Sequence, residues 1–574
     1  MRMILQYLKP FYGRMSVGLT IKVFGTLIEL ALPYILSHIL KEVVTKQDVG
    51  LIAFWGGIMI ACAAFACVCN IFANRMAARV ARNFSEQMRH DLFDRTMRLS
   101  AAQTDKFTIP SLESRITTDT YNVHHFVNMM QRMGVRAPIL LIGGIAITLI
   151  MDSYLALAML AILPFIFITV YFISKKGIPL YTKIQKSVDQ MIRVVREDAQ
   201  GIRVIKALSK TDYEHRRYDT VNRALVIDEK RAGVTMSIVN PAMTLLMNIG
   251  IVAVVALSAS RVSNQQSAPE TVIAFMQYFT LISMAMMSVT RIFVMYTKSS
   301  ASARRIEEVI NTAEDLTIQN ENAYPNAAAS AHILFDRVCF SYGGVHNDLT
   351  NISFEIPHGG SLGIIGATGS GKSTIIKLLL RFYDADSGSI RIQGRDIRTI
   401  PREDFYSMFG TVMQNDFLYA DTIEENIRFG RSLTHRQIVE AAKIAQADDF
   451  ISAFPEQYKH MLSQKGTNIS GGQKQRILIA RAVAANPEIL VLDDSSSALD
   501  YKTDANLRGA LSKTMKNTTV ITVAQRVSSI KDCDVILVLD KGNIIGIGNH
   551  EMLIQNCSEY REISESQMGG AFVE

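Results

Sequence analysis

Six long apolar stretches fill the first half of the chain, near 15–40, 52–77, 133–151, 154–174, 236–260 and 270–297. Each can cross a bilayer as a helix, which takes about 20 apolar residues. That half has little choice of fold: an all-α bundle of six membrane-spanning helices. Very short loops join the first stretch to the second, the third to the fourth and the fifth to the sixth. Polar connections of about 55–60 residues, from the expected span lengths, join the second to the third and the fourth to the fifth.

Charge orients the bundle. The long connections carry Arg79, Arg82, Arg89, Arg95, Arg98 and Arg115, then Lys175, Lys176, Lys183, Lys186, Arg193, Arg196, Arg203, Lys206, Arg216 and Arg217. The short loops are nearly balanced, with Lys41, Glu42, Lys46 and Asp48, then Asp152, then Arg261 and Glu270. The positive-inside rule puts the long connections and both termini in the cytoplasm, and the chain in an inner or plasma membrane as a multi-pass protein. Helical spacing through 78–107 and 180–235 extends the spans into the cytoplasm. Breaks or short transverse helices are expected at Pro110 to His124 and at Ser209 to Tyr218. Arg2, Lys9 and Arg14 flank an amphipathic start that reads as an interfacial helix.

Composition agrees. The chain has 574 residues, too many for one core, so several domains are expected. Hydrophobic residues make up 49% and mean hydropathy is +0.16. The net charge of +7 is that of cytoplasmic loops rather than of nucleic-acid binding, for which no recognition module is present. The six cysteines, Cys62, Cys67, Cys69, Cys339, Cys533 and Cys557, show no metal spacing and no disulfide framework, which suits a reducing cytosol.

Charged residues inside spans are costly and mark candidate functional positions. Lys22 and Glu29 share a face of the first stretch, and Arg291 lies in the sixth. Each either finds a partner or walls a translocation cavity. Met236, Met243, Met247, Met276, Met284, Met286, Met287 and Met295 form either helix packing or an adaptable surface for varied ligands.

A polar, Ala/Asn-rich linker with Pro325 runs over 311–331 and separates 1–310 from 332–574. The second part contains Gly366-Ala-Thr-Gly-Ser-Gly-Lys-Ser-Thr374. This matches G-x-x-x-x-G-K-[ST], between a buried strand at Ser361–Ile365 and a helix from Ile375. Backbone amides of Gly366, Thr368, Gly369, Ser370, Gly371 and Thr374 would wrap phosphates at a positive helix N-terminus. Lys372 would reach the β- and γ-phosphates, and Ser373 would hold Mg²⁺.

Ile469-Ser-Gly-Gly-Gln-Lys-Gln-Arg476 resembles the signature motif of ATP-binding cassette (ABC) proteins. Phosphate loop, signature and acidic strand follow in that family's order. The six stretches before them resemble the exporter type, with membrane and cassette domains fused in one half-transporter. Ser111-Leu-Glu-Ser-Arg115 with Asp119, and Gly201-Ile-Arg-Val-Ile-Lys206, resemble its two cytoplasmic-loop patterns. The resemblance covers essentially the whole chain. It implies a six-helix transmembrane domain with two coupling loops, then an α/β cassette binding ATP and Mg²⁺. It also implies a dimer with two nucleotides at the cassette interface. Tyr342 would stack on adenine. Gln414 would sense Mg²⁺ and the γ-phosphate. Ser470, Gly471, Gly472 and Gln473 would face the partner's nucleotide. Ser497-Ala-Leu-Asp500 resembles the loop linking the two sites. Asp493, ending the strand Ile489–Asp493, would hold Mg²⁺, through water.

Besides Ile469, which stands for the signature's usual Leu, three places depart from the family pattern. Asp494 stands where a Glu usually polarises the attacking water. Its carboxylate is set back by one methylene, and a misplacement of about 1 Å costs on the order of a hundredfold in rate. Gln525 stands where a His usually contacts the γ-phosphate, and an amide cannot carry that charge. Ser463-Gln-Lys-Gly466 replaces a Glu-Arg-Gly loop. The first two resemble the degenerate half of heterodimeric exporters. The expectation is a subunit that binds ATP on its own phosphate loop with impaired hydrolysis. Its signature would complete the competent site of a second, non-identical half-transporter. The cargo expected is an amphipathic drug, lipid or peptide. The rival readings are a homodimeric exporter with slow ATPase and a nucleotide-gated regulatory or channel-like subunit.

Overall fold

The computed structural model describes residues 1–263, 269–320, 331–344, 346–495 and 497–568. Residues 264–268, in the loop between the fifth and sixth stretches, and 321–330 of the linker lie outside the described residues, as do the side chains of Arg261 and Glu270. The chain packs as two compact units. One is Met1–Arg98 with Thr108–Thr312, the other Leu99–Phe107 with Ala313–Glu574.

The first unit is all helical: α1 (Arg2–Leu8), α2 (Tyr12–His38) and α3 (Val49–Met97), with α4 (Ala101–Phe107) contributed to the other unit, then α5 (Ile109–Ser114), α6 (Thr120–Met133), α7 (Arg136–Met151), α8 (Ser153–Ala207), α9 (Thr211–Ser237), α10 (Val239–Ser263) and α11 (Pro269–Ile310). Five helical stretches among the described residues are long and apolar enough to cross a membrane, and a shorter apolar one, Ser153–Thr169, opens α8. Phe54, Ile60, Ile142, Ile150 and Phe165 point outward, as lipid-facing side chains must. Asp48 and Asp152, in two of the short loops, are helix caps. Asp48 Oδ1 accepts from Gly50 N at 2.8 Å, and Asp152 Oδ1 accepts from Tyr154 N at 3.0 Å. Asp152 alone separates α7 from α8.

Side chains hold the helices in register. Lys22 Nζ is buried and donates to Asn70 Oδ1 at 2.6 Å and Asn74 Oδ1 at 3.2 Å. Glu29 pairs instead with Arg136, whose Nε lies 3.2 Å from Oε2. The two intramembrane charges on one helix face therefore serve different neighbours. The side chain of Arg291 is exposed. Met243, Met247, Met286 and Met287 pack in a core of α8, α10 and α11, whereas Met276 and Met284 are exposed.

The first long connection breaks at Leu99–Ser100 and again at Thr108, ahead of the expected Pro110 to His124, where the chain is helical throughout: short α5, a wider π-helical turn over Arg115–Asp119, then α6. Thr108 takes the left-handed conformation, φ 63°. Pro110 then sits in the first turn of α5, where its missing N–H is harmless, so it starts a helix rather than ending one. The second break is a tight turn over Leu208–Lys210, with Ser209 at φ 51°. The Ser111–Asp119 pattern ties its segment to the end of α11. Arg115 bonds the Arg305 carbonyl and Glu308, and fully buried Asp119 accepts from Ser302 Oγ at 2.8 Å and Arg305 Nε at 2.7 Å.

The second unit is α/β. Its strands are β1 (Ile333–Phe340), β2 (Leu349–Ile356), β3 (Ser361–Gly366), β4 (Ser387–Ile392), β5 (Arg395–Asp396), β6 (Phe409–Val412), β7 (Ile489–Asp493), β8 (Thr519–Val523), β9 (Val535–Asp540) and β10 (Asn543–Gly548). An antiparallel sheet has the order β2-β1-β4-β5, and a six-stranded sheet the order β10-β9-β3-β8-β7-β6. In the latter, β9, β3, β8, β7 and β6 are mutually parallel. Every residue of β7 is buried, as a central parallel strand requires. The helices are α12 (Lys372–Leu379), α13 (Arg402–Ser407), α14 (Ile423–Arg428), α15 (His435–Ile444), α16 (Asp448–Ser452), α17 (Gly471–Val483), α18 (Tyr501–Thr514), α19 (His550–Asn556) and α20 (Ser558–Met568). Short α4 belongs to this unit. Asp105 accepts from Tyr383 Oη at 2.6 Å, Ser100 Oγ bonds Asp315 at 2.7 Å, and Gln103 donates to the Ala313 carbonyl at 2.7 Å.

Candidate nucleotide site

Ligand sites in parallel α/β sheets lie beyond the carboxyl ends of the strands. Here four such ends converge: β3 at Gly366, β8 at Val523, β7 at Asp493 and β6 at Val412, two residues before Gln414. The register puts Ile364 beside Val523 and Asp493 beside Val523. A cleft of about 290 Å³ opens there, lined by Thr368, Gly369, Gly371, Lys372, Ser373, Thr374, Gln414, Asp493, Asp494 and Gln525, together with Asp348, Val523 and Ala524. The topology thus brings together residues spread over more than half of this unit.

The segment Gly366–Thr374 leads from the end of β3 into α12, which starts at Lys372, three residues before the expected Ile375. Gly371 caps α12 at φ 102°, and a Cβ there would meet Leu349 Cδ2 at 2.7 Å, so only glycine fits. Lys372 Nζ is held over the loop, donating to the carbonyls of Gly366 and Ala367 at 2.8 Å each. Burial lowers its pKa, opposed by the charges of Asp493 and Asp494.

The two carboxylates differ. Asp493 is buried, which raises its pKa. The Ser373 hydroxyl bonds it and works the other way, while the charge of Asp494 adds to the rise. Asp494 is half-buried with a left-handed backbone, φ 52°. Burial raises its pKa, and a hydrogen bond from Gln525 opposes that rise. In that bond Gln525 Nε2 donates to Asp494 Oδ2 at 3.0 Å. The two departures from the family pattern therefore face each other and bond directly.

These residues fit ATP with its magnesium. The Ser370 hydroxyl is buried at the centre of the loop, with no hydrogen-bond partner among the described residues. Beyond Gly369 there is open space where a Cβ would stand. Among the described residues no three His, Cys, Asp or Glu side chains gather as a metal cluster. Magnesium needs none, because it takes one or two carboxylates and completes its shell with substrate phosphates and water. Ser373, Asp493 and Gln414 line the cleft and would supply a hydroxyl, a carboxylate and an amide for that role.

Tyr342 lies outside this cleft. It borders an adjoining cavity of about 540 Å³ that also touches Phe340, Phe382, Tyr383 and Asp105. Its ring meets Phe340 and Tyr383 edge-on at 4.9 and 5.1 Å, and the Lys377 ammonium sits 5.1 Å from its centroid. Ser470, Gly471, Gly472 and Gln473 also lie outside the cleft. They form the start of α17, where Ser470 Oγ accepts from Gln473 N at 3.3 Å and Gln473 Oε1 accepts from Ser470 N at 2.9 Å. This is a reciprocal capping box. A Cβ on Gly472 would approach the Ala498 carbonyl at 3.1 Å, so the signature turn packs on the Ser497–Asp500 loop.

Two residues carried no sequence signal. Asp348 lines the cleft, and its Oδ2 accepts from Tyr342 N at 2.8 Å. Gln567 touches the segment that bears Gln525. Neither belongs to a contiguous motif.

Comparison with known proteins gives a consistent result. Residues 15–286 match the ABC transporter transmembrane region family and residues 349–497 the ABC transporter family. An uncharacterized ABC transporter ATP-binding protein of Mycobacterium tuberculosis is 31% identical over 99% of this chain and 98% of its own. The uncharacterized ABC transporter ATP-binding protein YfiB of Bacillus subtilis is 32% identical, over 99% of both chains. Among solved structures, a bacterial Atm1-family ABC exporter with ATP bound matches 97% of this chain and 98% of its own, with a TM-score of 0.80 and 24% identity. That likeness establishes the fold.

Proposed function

This chain belongs to the ABC transporter family, and from that premise we propose that it is one subunit of a heterodimeric, ATP-driven exporter. Its own phosphate loop binds ATP and hydrolyses it slowly. Its signature, Ser470 to Gln473, completes the competent site on a different half-transporter. Six spans, with the cassette and both termini in the cytoplasm, carry an amphipathic drug, lipid or peptide outward by alternating access.

The observation that carries this reading is the bond between Gln525 and Asp494. A catalytic base must present a free carboxylate oxygen to the attacking water. The Asp494 carboxylate is one methylene short of glutamate, and its Oδ2 accepts from a neutral amide, so only Oδ1 of a set-back carboxylate is left for the water. The Gln525 amide is directed at that carboxylate. The phosphate-gripping parts, Lys372, Ser373 and the glycine loop, are intact, which supports retention of ATP. Bound magnesium would draw charge from the β- and γ-phosphate oxygens. Lys372 neutralises the same phosphates, and Asp493 with Ser373 orients their side of the cleft.

The test is turnover by the full chain alone in lipid nanodiscs, against the chain assembled with a second half-transporter that carries Glu and His at the positions of Asp494 and Gln525. The expected result is ATP binding by both and multiple turnover only by the pair. Turnover by the single chain at the rate of the pair would overturn the heterodimeric reading and favour a homodimer.

A further inference from the structure

Helix α20 is docked by one face. Tyr560 and Ser564 are buried, and Ile563 packs with Ile365, Ala524, Val527 and Val538 behind the phosphate loop. Helical spacing continues that face to Gln567, one turn beyond Ser564. There the side-chain amide makes two bonds to one stretch of backbone. Its Oε1 accepts from Val527 N at 2.8 Å, and its Nε2 donates to the Gln525 carbonyl at 2.8 Å. Only an amide side chain offers a donor and an acceptor at this spacing, and asparagine is one carbon shorter.

The residue bracketed by those bonds is Arg526. Its guanidinium lies 4.8 Å from the centroid of Tyr501 and bonds the Leu499 carbonyl at 3.5 Å, beside the Ser497–Asp500 loop. Gln525, just before it, bonds Asp494. A three-residue segment thus reads the acidic carboxylate and the loop next to it, and Gln567 fixes the backbone on both sides.

We propose that Gln567 is a positioning residue for the nucleotide site, holding the Gln525–Val527 backbone so that the Gln525 amide stays on Asp494. It acts through Gln525 and has no contact with nucleotide. The idea rests on reading the cleft as a nucleotide site, whether or not that site hydrolyses.

The test uses the full chain in nanodiscs, loaded with a fluorescent ATP analogue and Mg²⁺ and chased with excess ATP. Both Gln567→Ala and Gln567→Glu should release nucleotide about fivefold faster, the effect of roughly one neutral hydrogen bond. Gln567→Glu preserves size and helix propensity but sets an oxygen against the Gln525 carbonyl, so it guards against a simple folding defect. Hydrogen exchange in the segment 524–530 should quicken in both variants. Adding Gln567→Ala to Gln525→Ala should change release no further. Wild-type release from both single variants would overturn the clamp, as would an undiminished effect of Gln567→Ala in the Gln525→Ala background. Failure of the unaltered chain to bind the analogue would instead overturn the nucleotide-site reading.

Discussion

The second unit has two faces that are built in opposite ways. The phosphate-loop face is a cleft whose groups point at one another: Lys372 at the Gly366 carbonyl, Ser373 at Asp493, Gln525 at Asp494. The signature face is an exposed helix start where Ser470 and Gln473 close a reciprocal capping box and Arg476 Nε donates to the Gly472 carbonyl at 3.3 Å. A helix N-terminus presenting unpaired amides is a ready site for an anion. None of its residues lines the cleft, and under the proposed function it is half of a site completed by another chain. If the proposed function holds, the contrast separates a cleft that grips nucleotide from a face that serves hydrolysis elsewhere.

The largest effect should come from the signature face. Ser470→Asp sets a carboxylate where a partner's phosphate would arrive. ATP turnover of the assembled pair should fall about a hundredfold or more, the scale for losing one preorganised donor to a developing charge. Nucleotide retention on this chain's own loop should stay unchanged. Turnover that survives Ser470→Asp would break the comparison outright.

The next effect runs the other way. Asp494→Glu with Gln525→His lengthens the carboxylate and frees it from the amide. Single-turnover hydrolysis at this chain's own loop should rise about a hundredfold, the usual scale for correcting a misplacement of about 1 Å. No gain would mean that the impairment lies elsewhere, with the Ser463–Gly466 loop as the next place to look.

A smaller change separates gripping from cutting. Lys372→Ala removes a charge-assisted contact, worth about 1.5–3 kcal/mol, so equilibrium affinity for ATP should drop roughly tenfold to a hundredfold. Titration of the full chain with a fluorescent analogue would read it. Turnover of the pair should fall less than with Ser470→Asp if the competent phosphate loop belongs to the other subunit.

How much of this was legible in the sequence follows from chain distance. The phosphate loop is nine contiguous residues whose order dictates its shape, and the signature is one helix start. Both could be read directly. Asp494 and Gln525 were each visible as departures, but their bond was not. They are 31 residues apart, and only the parallel register of β7 and β8 sets their strand ends side by side. Gln567 is farther still from any motif, and its role depends on where α20 docks. In the membrane half, hydropathy marked the apolar stretches. Partner choice was hidden, because Lys22 and Glu29 share a helix face yet bond to α3 and α7. Pro110 misled because proline breaks a helix from within but starts one well from its first turn.

The smallest effect tests whether Ser470 is there for folding or for phosphate. As N-cap of α17 it accepts from Gln473 N, a bond whose loss on Ser470→Ala should cost about 1 kcal/mol locally. Hydrogen exchange at the first turn of α17 should then quicken about fivefold. Ser470→Asp keeps a good cap, and its charge suits the positive helix end, so the same amides should stay protected to within about 0.5 kcal/mol. The two variants therefore rank oppositely in the two assays. Alanine loosens the helix start, while aspartate leaves it closed and repels the incoming phosphate. If aspartate loosened the turn as much as alanine, its loss of turnover would be a folding effect. The signature face would then be structure rather than half of a site.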